Sequence, residues 1–106
     1  MRTNLSQLEF SILSVLMEKE CYGLEMITAI ELTTEGQWTV SLGSLYTTLR
    51  RMENKGFVTS RWGDADEPRA GARRRYYRLT GLGIETLTQT QRAVANLLNL
   101  SRPSEV

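Results

Sequence analysis

Arginine side chains and short hydroxyl side chains in the middle of the chain are the residues best placed to do chemistry. Residues 37–80 carry nine positive and four negative side chains, a net charge of +5, whereas residues 1–36 carry a net charge of −4 and residues 81–106 are balanced. A guanidinium offers planar, paired donors that match a phosphate group. The whole chain has a net charge of only +1, so we expect a polyanion to bind the middle segment, although a solvated basic surface would show the same composition.

The composition argues against catalysis and metal binding. The 106 residues include no histidine and one cysteine, Cys21. These counts exclude Ser-His-Asp and Cys-His catalysis, histidine-containing zinc sites and an internal disulfide. No glycine-rich phosphate loop or convincing pair of catalytic carboxylates takes their place. We therefore predict no enzymatic activity, no cofactor and no metal site, and we assign Cys21 a packing role.

The hydropathy and cysteine content indicate the compartment. No apolar run approaches the length of a membrane span, and the N-terminus lacks the pattern of a signal peptide. A single cysteine suits a reducing environment. We expect a cytoplasmic protein that does not associate with membranes.

Apolar residues at helical spacing predict three helices in the first half of the chain. The first begins at Asn4 or Ser6, and the second ends near Gly36. The stretch 37–40 between the second and third helices is β-like.

The third helix has the clearest boundaries. Ser41 is a good N-cap, and Gly56 ends the helix. Its predicted apolar stripe comprises Leu42, Leu45, Leu49 and Met52. A projection at about 100° per residue places on the far side Gly43, Thr47, Arg50, Arg51 and Asn54, with Ser44 and Thr48 on one flank and Tyr46 on the other.

Two strands and a final helix complete the predicted elements. Residues 57–62 and 74–79 are rich in β-forming side chains, and the polar stretch 63–72 connects them. A lone hairpin is marginal in water, so it must pack on the helices, and the side chains expected to do so are Val58, Trp62, Tyr77 and Leu79. Thr80 caps the final helix.

This order of elements is typical of one fold. We predict a mostly α (α+β) winged helix–turn–helix, with three helices and a two-stranded wing, followed by a C-terminal dimerisation helix. The predicted units are a DNA-binding domain at residues 1–80 and a dimerisation helix and tail at residues 81–106.

Three blocks of sequence resemble the PadR-like transcriptional regulators. Residues 22–26 (YGLEM) resemble the opening of the family's second helix, residues 41–58 (SLGSLYTTLRRMENKGFV) its recognition-helix signature, and residues 74–83 (RRYYRLTGLG) the strand that returns from its wing. The similarity covers roughly residues 5–83, although Leu42 and Thr47 stand where the family often has proline.

The resemblance implies a homodimeric, usually repressing, DNA-binding protein whose last helix helps to form the dimer. The short final helix is similar to that of the family's small members, some of which bind flat apolar ligands through a tryptophan on this helix. Residues 81–100 contain no aromatic side chain, so we do not expect ligand sensing by that route.

The predicted interface with double-stranded DNA combines the third helix and the wing. Short donors early in a recognition helix can approach base edges, and arginine or lysine can meet phosphates or guanine. The predicted DNA-binding residues are Ser41, Ser44, Tyr46, Thr47, Thr48, Arg50, Arg51, Lys55, Arg73, Arg74 and Arg75. Alternatives stay open: the helix face could simply be solvated, Tyr46 could pack against the domain, and some arginines could cover the hairpin.

Acidic residues at the wing tip oppose this basic surface locally. The residues concerned are Asp64, Asp66 and Glu67. Two roles remain open: pairing with the arginines in the free protein, or bending away from DNA.

Apolar side chains on the last helix predict a second copy of the chain as a partner. A two-fold pair would place recognition helices about 34 Å apart on a palindromic site. The predicted dimerisation residues are Leu5, Leu8, Leu87, Val94, Leu97 and Leu98. The alternative is that this helix folds back onto its own domain.

The functional prediction is a sequence-specific transcriptional regulator, a repressor that acts as a homodimer on a two-fold operator. The alternative is a winged helix that serves as a protein-interaction module without specific DNA binding. The operator, the regulated genes and the existence of a small-molecule effector are left open.

Overall fold

Four helices and three short strands form the fold. The computed structural model describes residues 4–64 and 73–100. In chain order the elements are α1 (Gln7–Glu18), β1 (Cys21–Tyr22), α2 (Gly23–Thr33), α3 (Leu42–Asn54), β2 (Val58–Trp62), β3 (Arg75–Leu79) and α4 (Gly81–Leu100). The predicted winged-helix architecture is confirmed. The wing-tip residues Asp66 and Glu67, and residues 101–106 of the predicted C-terminal segment, lie outside the described residues.

Local capping interactions explain where the helices begin. The Ser6 hydroxyl accepts a hydrogen bond from the Glu9 amide at 3.1 Å, and the Glu9 carboxylate accepts one from the Ser6 amide at 2.8 Å. This reciprocal pair satisfies two amide donors that the helix itself leaves unpaired. The Ser41 hydroxyl caps α3 through the Ser44 amide at 3.2 Å. Thr80 likewise accepts from the Gly83 amide at 3.0 Å, so three predicted caps are confirmed.

The sheet contains one strand that the sequence did not predict. Its order is β1-β3-β2, with both pairings antiparallel. The added strand, Cys21–Tyr22, pairs with Tyr77 and Tyr76 of β3. The β-like assignment of residues 37–40 is wrong, because the structure has no strand there. Strand β1 is therefore defined by its hydrogen bonding to β3 and not by a local apolar pattern.

The core lies between the helices and the inner face of the sheet. The α3 residues Leu45, Leu49 and Met52 are fully buried, as predicted. Two expectations are wrong: Leu42 is 45% exposed instead of lying in the buried stripe, and Trp62 is 54% exposed instead of packing against the helices. The side chains that attach the hairpin to the core are Val58, Tyr77 and, in part, Leu79.

The last helix divides into a packed half and a projecting half. Its first turns lie against α1 and β3. Leu87 is completely buried there, so the prediction of Leu87 as a dimer contact is wrong: this side chain fills its own subunit's core. Between residues 91 and 100 every residue is exposed except Val94, which is half-buried. The projecting half carries Leu97, Leu98 and Leu100 into solvent.

Candidate nucleic-acid interface

The outer face of α3 is open to solvent along its whole length. Its buried stripe faces the core, whereas residues 41–44, from the Ser41 cap through the first turn, are exposed. The exposed residues on this helix include the predicted contacts Ser44, Tyr46, Thr47, Arg50 and Arg51. A helix presented in this way has the width and exposure that entry into a major groove requires.

Thr48 departs from the predicted interface. Its side chain is only 4% exposed, because α1 packs against the flank of α3 on which it lies. A base contact by Thr48 would need α1 to move, so Thr48 does not belong to the exposed face of α3. Tyr46 is 41% exposed, and its hydroxyl lies against Gly23, the first residue of α2. A Cβ atom at Gly23 would collide with that hydroxyl, so this phenol both packs against α2 and reaches the surface.

Two cations, Arg51 of α3 and Lys55 directly after it, lie beside a carboxylate of α1. Glu9 is buried, and its carboxylate lies 3.4 Å from Lys55 Nζ and 4.0 Å from Arg51 Nε. Burial alone would raise the pKa of Glu9, but hydrogen bonds with Ser6 and the charge of Lys55 outweigh it and hold that pKa below its ordinary value. Both cationic side chains remain about half exposed, so they are positioned by Glu9 and still accessible to a second anion.

Arg75 contacts three other residues of the domain. Its Nε donates to Ser60 Oγ at 3.0 Å, and its Nη2 lies 3.8 Å from the Glu53 carboxylate. Its guanidinium also lies 5.0 Å from the centre of the Trp62 ring. Arg75 and Tyr77 project from the same face of β3, toward α3, because side chains alternate along a strand. Arg75 therefore covers the hairpin, which is one of the alternatives that the sequence left open.

A ladder of stacked side chains crosses the sheet from β2 to β1. Arg61 donates two hydrogen bonds to Glu20, at 2.6 and 3.1 Å, and lies 4.9 Å from the Tyr76 ring centre. Tyr76 meets Tyr22 edge to face at 5.6 Å, and the Arg74 guanidinium lies 4.3 Å above Tyr22. Hydrogen bonding by Arg61 lowers the pKa of Glu20. These contacts join β1, β2 and β3, and no local sequence pattern indicates them because β1 has only two residues.

A cleft of about 540 Å³ separates α3 from the wing, and we call it the α3–wing cleft. Arg73 stands at its wing side, where its Nε donates to the Gly63 carbonyl at 3.0 Å. Arg50 stands on the helix side and makes no hydrogen bond or ion pair through its guanidinium with any residue of 4–64 or 73–100. The residues lining the cleft are Tyr22, Leu24, Leu42, Tyr46, Arg50, Glu53, Trp62, Arg73, Arg74, Arg75 and Tyr77.

The predicted DNA contacts thus fall on two sides of α3. Tyr46 and Arg50 face the α3–wing cleft together with the wing arginines. Ser44, Thr47 and Arg51 border a separate shallow groove toward α1. The lining residues outside the predicted DNA contacts are Tyr22, Leu24, Leu42, Glu53, Trp62 and Tyr77. Of these, Leu24, Leu42 and Trp62 are exposed apolar side chains, and their place beside arginines in the fold is the signal that marks them.

No cluster of three or more potential metal ligands occurs within residues 4–64 and 73–100. None of the helices in the same ranges is long and apolar enough to cross a membrane.

Comparisons with known proteins agree with this geometry. The profile of the "Transcriptional regulator PadR-like family" matches residues 12–89. An uncharacterised protein of Lysinibacillus sphaericus is 32% identical over 82 residues, which are 77% of this chain and 72% of that protein.

Two solved structures illustrate the shared fold. The crystal structure of a PadR family transcription regulator from Clostridium difficile is 30% identical, with a TM-score of 0.70 over 90% of this chain and 97% of that one. Bacillus subtilis PadR, solved in complex with operator DNA, is 20% identical, with a TM-score of 0.70 over 95% of this chain and 50% of that one, a similarity that concerns the fold. The profile match and the close relatives show that the chain belongs to the PadR-like family of transcriptional regulators.

Proposed function

We propose that this protein is a sequence-specific DNA-binding repressor that acts in the cytoplasm as a homodimer on a two-fold operator. The observation that carries the proposal is the exposed outer face of α3 bordered by Arg50 and Arg73. This arrangement offers a helix for the major groove and cations for the adjacent backbone. The structure of Bacillus subtilis PadR with operator DNA supports the same use of the fold.

The base-reading residues proposed are those with short side chains at the start of α3. Ser41, Ser44 and Thr47 are exposed, and a helix enters the major groove with its amino-terminal residues on base edges. Gly43 lies between them, and a Cβ built there would meet no atom of the domain within 4 Å. The helix backbone can therefore approach a base pair closely.

The backbone contacts proposed are made by cations on both sides of α3. Arg50 and Arg73 flank the α3–wing cleft. Arg51 and Lys55, which Glu9 positions, would contact the phosphates of the other DNA strand. Arg74, which lies over Tyr22, contributes charge from the wing, and Arg75 serves to orient the hairpin.

Dimerisation is proposed through residues 81–106, with residues 1–80 binding DNA. The projecting half of α4 exposes Leu97 and Leu98, at 62% and 64%, beside half-buried Val94. Burial of such a side chain contributes roughly 1.5–3 kcal/mol, which a second copy would supply symmetrically. Leu5 and Leu8 are half-buried against their own core, so only their exposed parts remain for a partner.

Selection from a randomised duplex library, followed by fluorescence anisotropy, tests the proposal. We expect a palindromic site bound about 10³-fold or more tightly than a scrambled duplex. Arg50→Ala should weaken binding to every duplex and reduce the salt slope by about 2, one phosphate for each subunit. Thr47→Val should instead change the preferred base.

Arg92→Ala is the matched control for the loss of one arginine. Arg92 is exposed and lies on the opposite side of α4 from Val94 and Leu98 in a helical projection. This variant should keep the affinity of the parent protein. Binding that never exceeds the scrambled duplex would overturn the proposal and favour a protein-interaction module.

A further inference from the structure

The α3–wing cleft contains more aromatic surface than recognition of a duplex uses. Four aromatic residues line it, and Trp62 is 54% exposed, whereas Tyr77 is buried and Tyr22 lies beneath the Arg74 guanidinium. The bases of a duplex are stacked on one another, so a protein ring can stack on them only after costly unstacking. Arginines explain how the cleft would hold a DNA backbone, but a backbone does not use the part of the indole that Arg75 leaves exposed.

The exposed ring packs against an oriented guanidinium. The Arg75 guanidinium lies against it at 5.0 Å, and Ser60 and Glu53 orient that guanidinium. An aromatic side chain held in this way offers a preformed stacking surface, because little rotamer freedom is lost on binding. Base–aromatic stacking contributes roughly 1–3 kcal/mol per base.

The cleft also presents cations at two separate points. Arg50 lies on α3 and Arg73 on the wing side, and both side chains are exposed. Glu53 is the acidic residue among those lining the cleft, and its carboxylate is occupied by Ser60 at 2.7 Å and Arg75 at 3.8 Å. The available charge of the cleft is therefore positive, and two guanidinium forks suit a ligand with more than one phosphate oxygen.

We propose that the α3–wing cleft binds a free mononucleotide, with the base stacked on Trp62 and the phosphates held by Arg50 and Arg73. The cleft volume of about 540 Å³ lies within the range of small-molecule sites, roughly 300–1,000 Å³. A nucleotide joins the two chemistries of the cleft in one molecule, a planar ring and a polyanion.

Occupancy of this site has a consequence for regulation. Arg50 and Arg73 are also the cations assigned above to the DNA backbone, so a bound nucleotide and an operator exclude each other. This consequence rests on the proposed function, whereas nucleotide binding itself does not. The nucleotide would therefore release the protein from DNA.

Isothermal titration of the full chain with ADP at low salt is the direct test. Adenosine and pyrophosphate, the two halves of the ligand, are titrated in parallel. We expect ADP to bind at least about fivefold more tightly than pyrophosphate, which is the smallest effect expected of one stacked base. Trp62→Leu should remove that difference and leave pyrophosphate binding unchanged, whereas Arg73→Ala should weaken both ligands.

Matched controls lie away from the cleft. Trp38→Phe changes the other tryptophan, which lies beside α1 and α2, and Arg92→Ala removes an exposed arginine of α4. Both should bind ADP as the parent does. Equal affinity for ADP and pyrophosphate, or ADP binding that survives Trp62→Leu, would overturn the proposal.

Displacement of a labelled duplex separates this proposal from the DNA-binding function. ADP should lower the anisotropy of the bound duplex, and adenosine should not. Direct ADP binding by a protein that binds no duplex specifically would leave the nucleotide site standing and refute the DNA-binding proposal. Loss of duplex affinity in Trp62→Leu without any ADP binding would show that the indole contacts DNA, which refutes the nucleotide site.

Discussion

Glu53 of α3 accepts a hydrogen bond from the Ser60 hydroxyl of β2 at 2.7 Å. The bond connects the helix proposed to read DNA with the hairpin proposed to hold its backbone. Arg75 of β3 joins the same pair through Ser60 Oγ and the Glu53 carboxylate. One polar cluster therefore sets the angle between the two DNA-facing elements.

Removal of the Ser60 hydroxyl should loosen this angle. We expect Ser60→Ala to lower the free energy of unfolding by about 1–2 kcal/mol, because the lost bond has a charged acceptor. Duplex affinity should fall several-fold with no change in the preferred sequence. Urea denaturation and anisotropy measure the two effects. Thr88→Ala, which removes an exposed hydroxyl bonded only to the Ile84 carbonyl within α4, should change neither.

Gly83 is required by a close approach of two backbones. A Cβ atom at this position would overlap the carbonyl oxygen of Phe57, which belongs to the turn before β2. Gly83→Ala should therefore lower the free energy of unfolding by roughly 1–3 kcal/mol, the usual cost of overpacking. Gly81→Ala in the same helix meets no atom within 4 Å, so its effect should be neutral or slightly stabilising. A urea midpoint for Gly83→Ala equal to that of the parent would contradict this account of the turn.

The elements with local signals were predicted well from the sequence, and those that depend on distant contacts were not. The caps of α1 and α3 use side chains within three residues of the helix start, so Ser6 and Ser41 identify them. Strand β1 exists because Tyr22 pairs with Tyr76 across the sheet. Two residues of strand are too short to show alternation, so no sequence pattern could indicate them.

The candidate site follows the same division. Arg50 and Thr47 are exposed, in agreement with a helical projection of α3. Thr48 lies with Ser44 on one flank of α3 in that projection, and it is buried because α1 covers this flank. Leu87 belongs to an apolar stripe that continues to Leu98, but the stripe is shared between the subunit's own core and the projecting surface. Periodicity identifies an apolar face, and tertiary packing decides what it meets.

The ion pairs of Glu9 should make stability depend on acid pH. The pKa of Glu9 is lower in the folded chain than its ordinary value, so its contribution is present at neutral pH and is lost as the pH falls through the lowered pKa. Glu9→Gln keeps an acceptor for the helix cap and removes the charge. We expect it to lower the free energy of unfolding by about 1 kcal/mol at neutral pH, with the difference shrinking in acid.

Urea denaturation of the parent and Glu9→Gln at a series of pH values measures this effect. Glu31→Gln is the control, because Glu31 forms no ion pair with another residue in the described part of the chain. A constant difference between parent and Glu9→Gln from neutral to acid pH would show that the carboxylate charge contributes nothing.

The projecting half of α4 should determine the oligomeric state. Leu97→Asp combined with Leu98→Asp places two charges on the exposed apolar stripe, which a dimer would have to desolvate. We expect the parent to sediment as a dimer and this variant as a monomer with an unchanged far-ultraviolet circular dichroism spectrum. Asn96→Asp adds charge on the opposite side of the helix and should remain dimeric. If the variant with both Leu97→Asp and Leu98→Asp stays dimeric, another surface forms the dimer.

Gly43 provides a test in which stability and DNA binding change in opposite directions. Nothing lies within 4 Å of a Cβ built on Gly43, and alanine in a helix is favoured over glycine by roughly 0.5–1 kcal/mol. Gly43→Ala should therefore raise the free energy of unfolding. The same methyl group would stand between the α3 backbone and a base pair, so affinity for the selected operator should fall about tenfold or more while affinity for a scrambled duplex stays within twofold. Gly81→Ala, at the start of α4, should leave both affinities unchanged. If Gly43→Ala binds the operator as tightly as the parent does, the first turn of α3 does not approach the bases, and the reading face lies elsewhere on the domain.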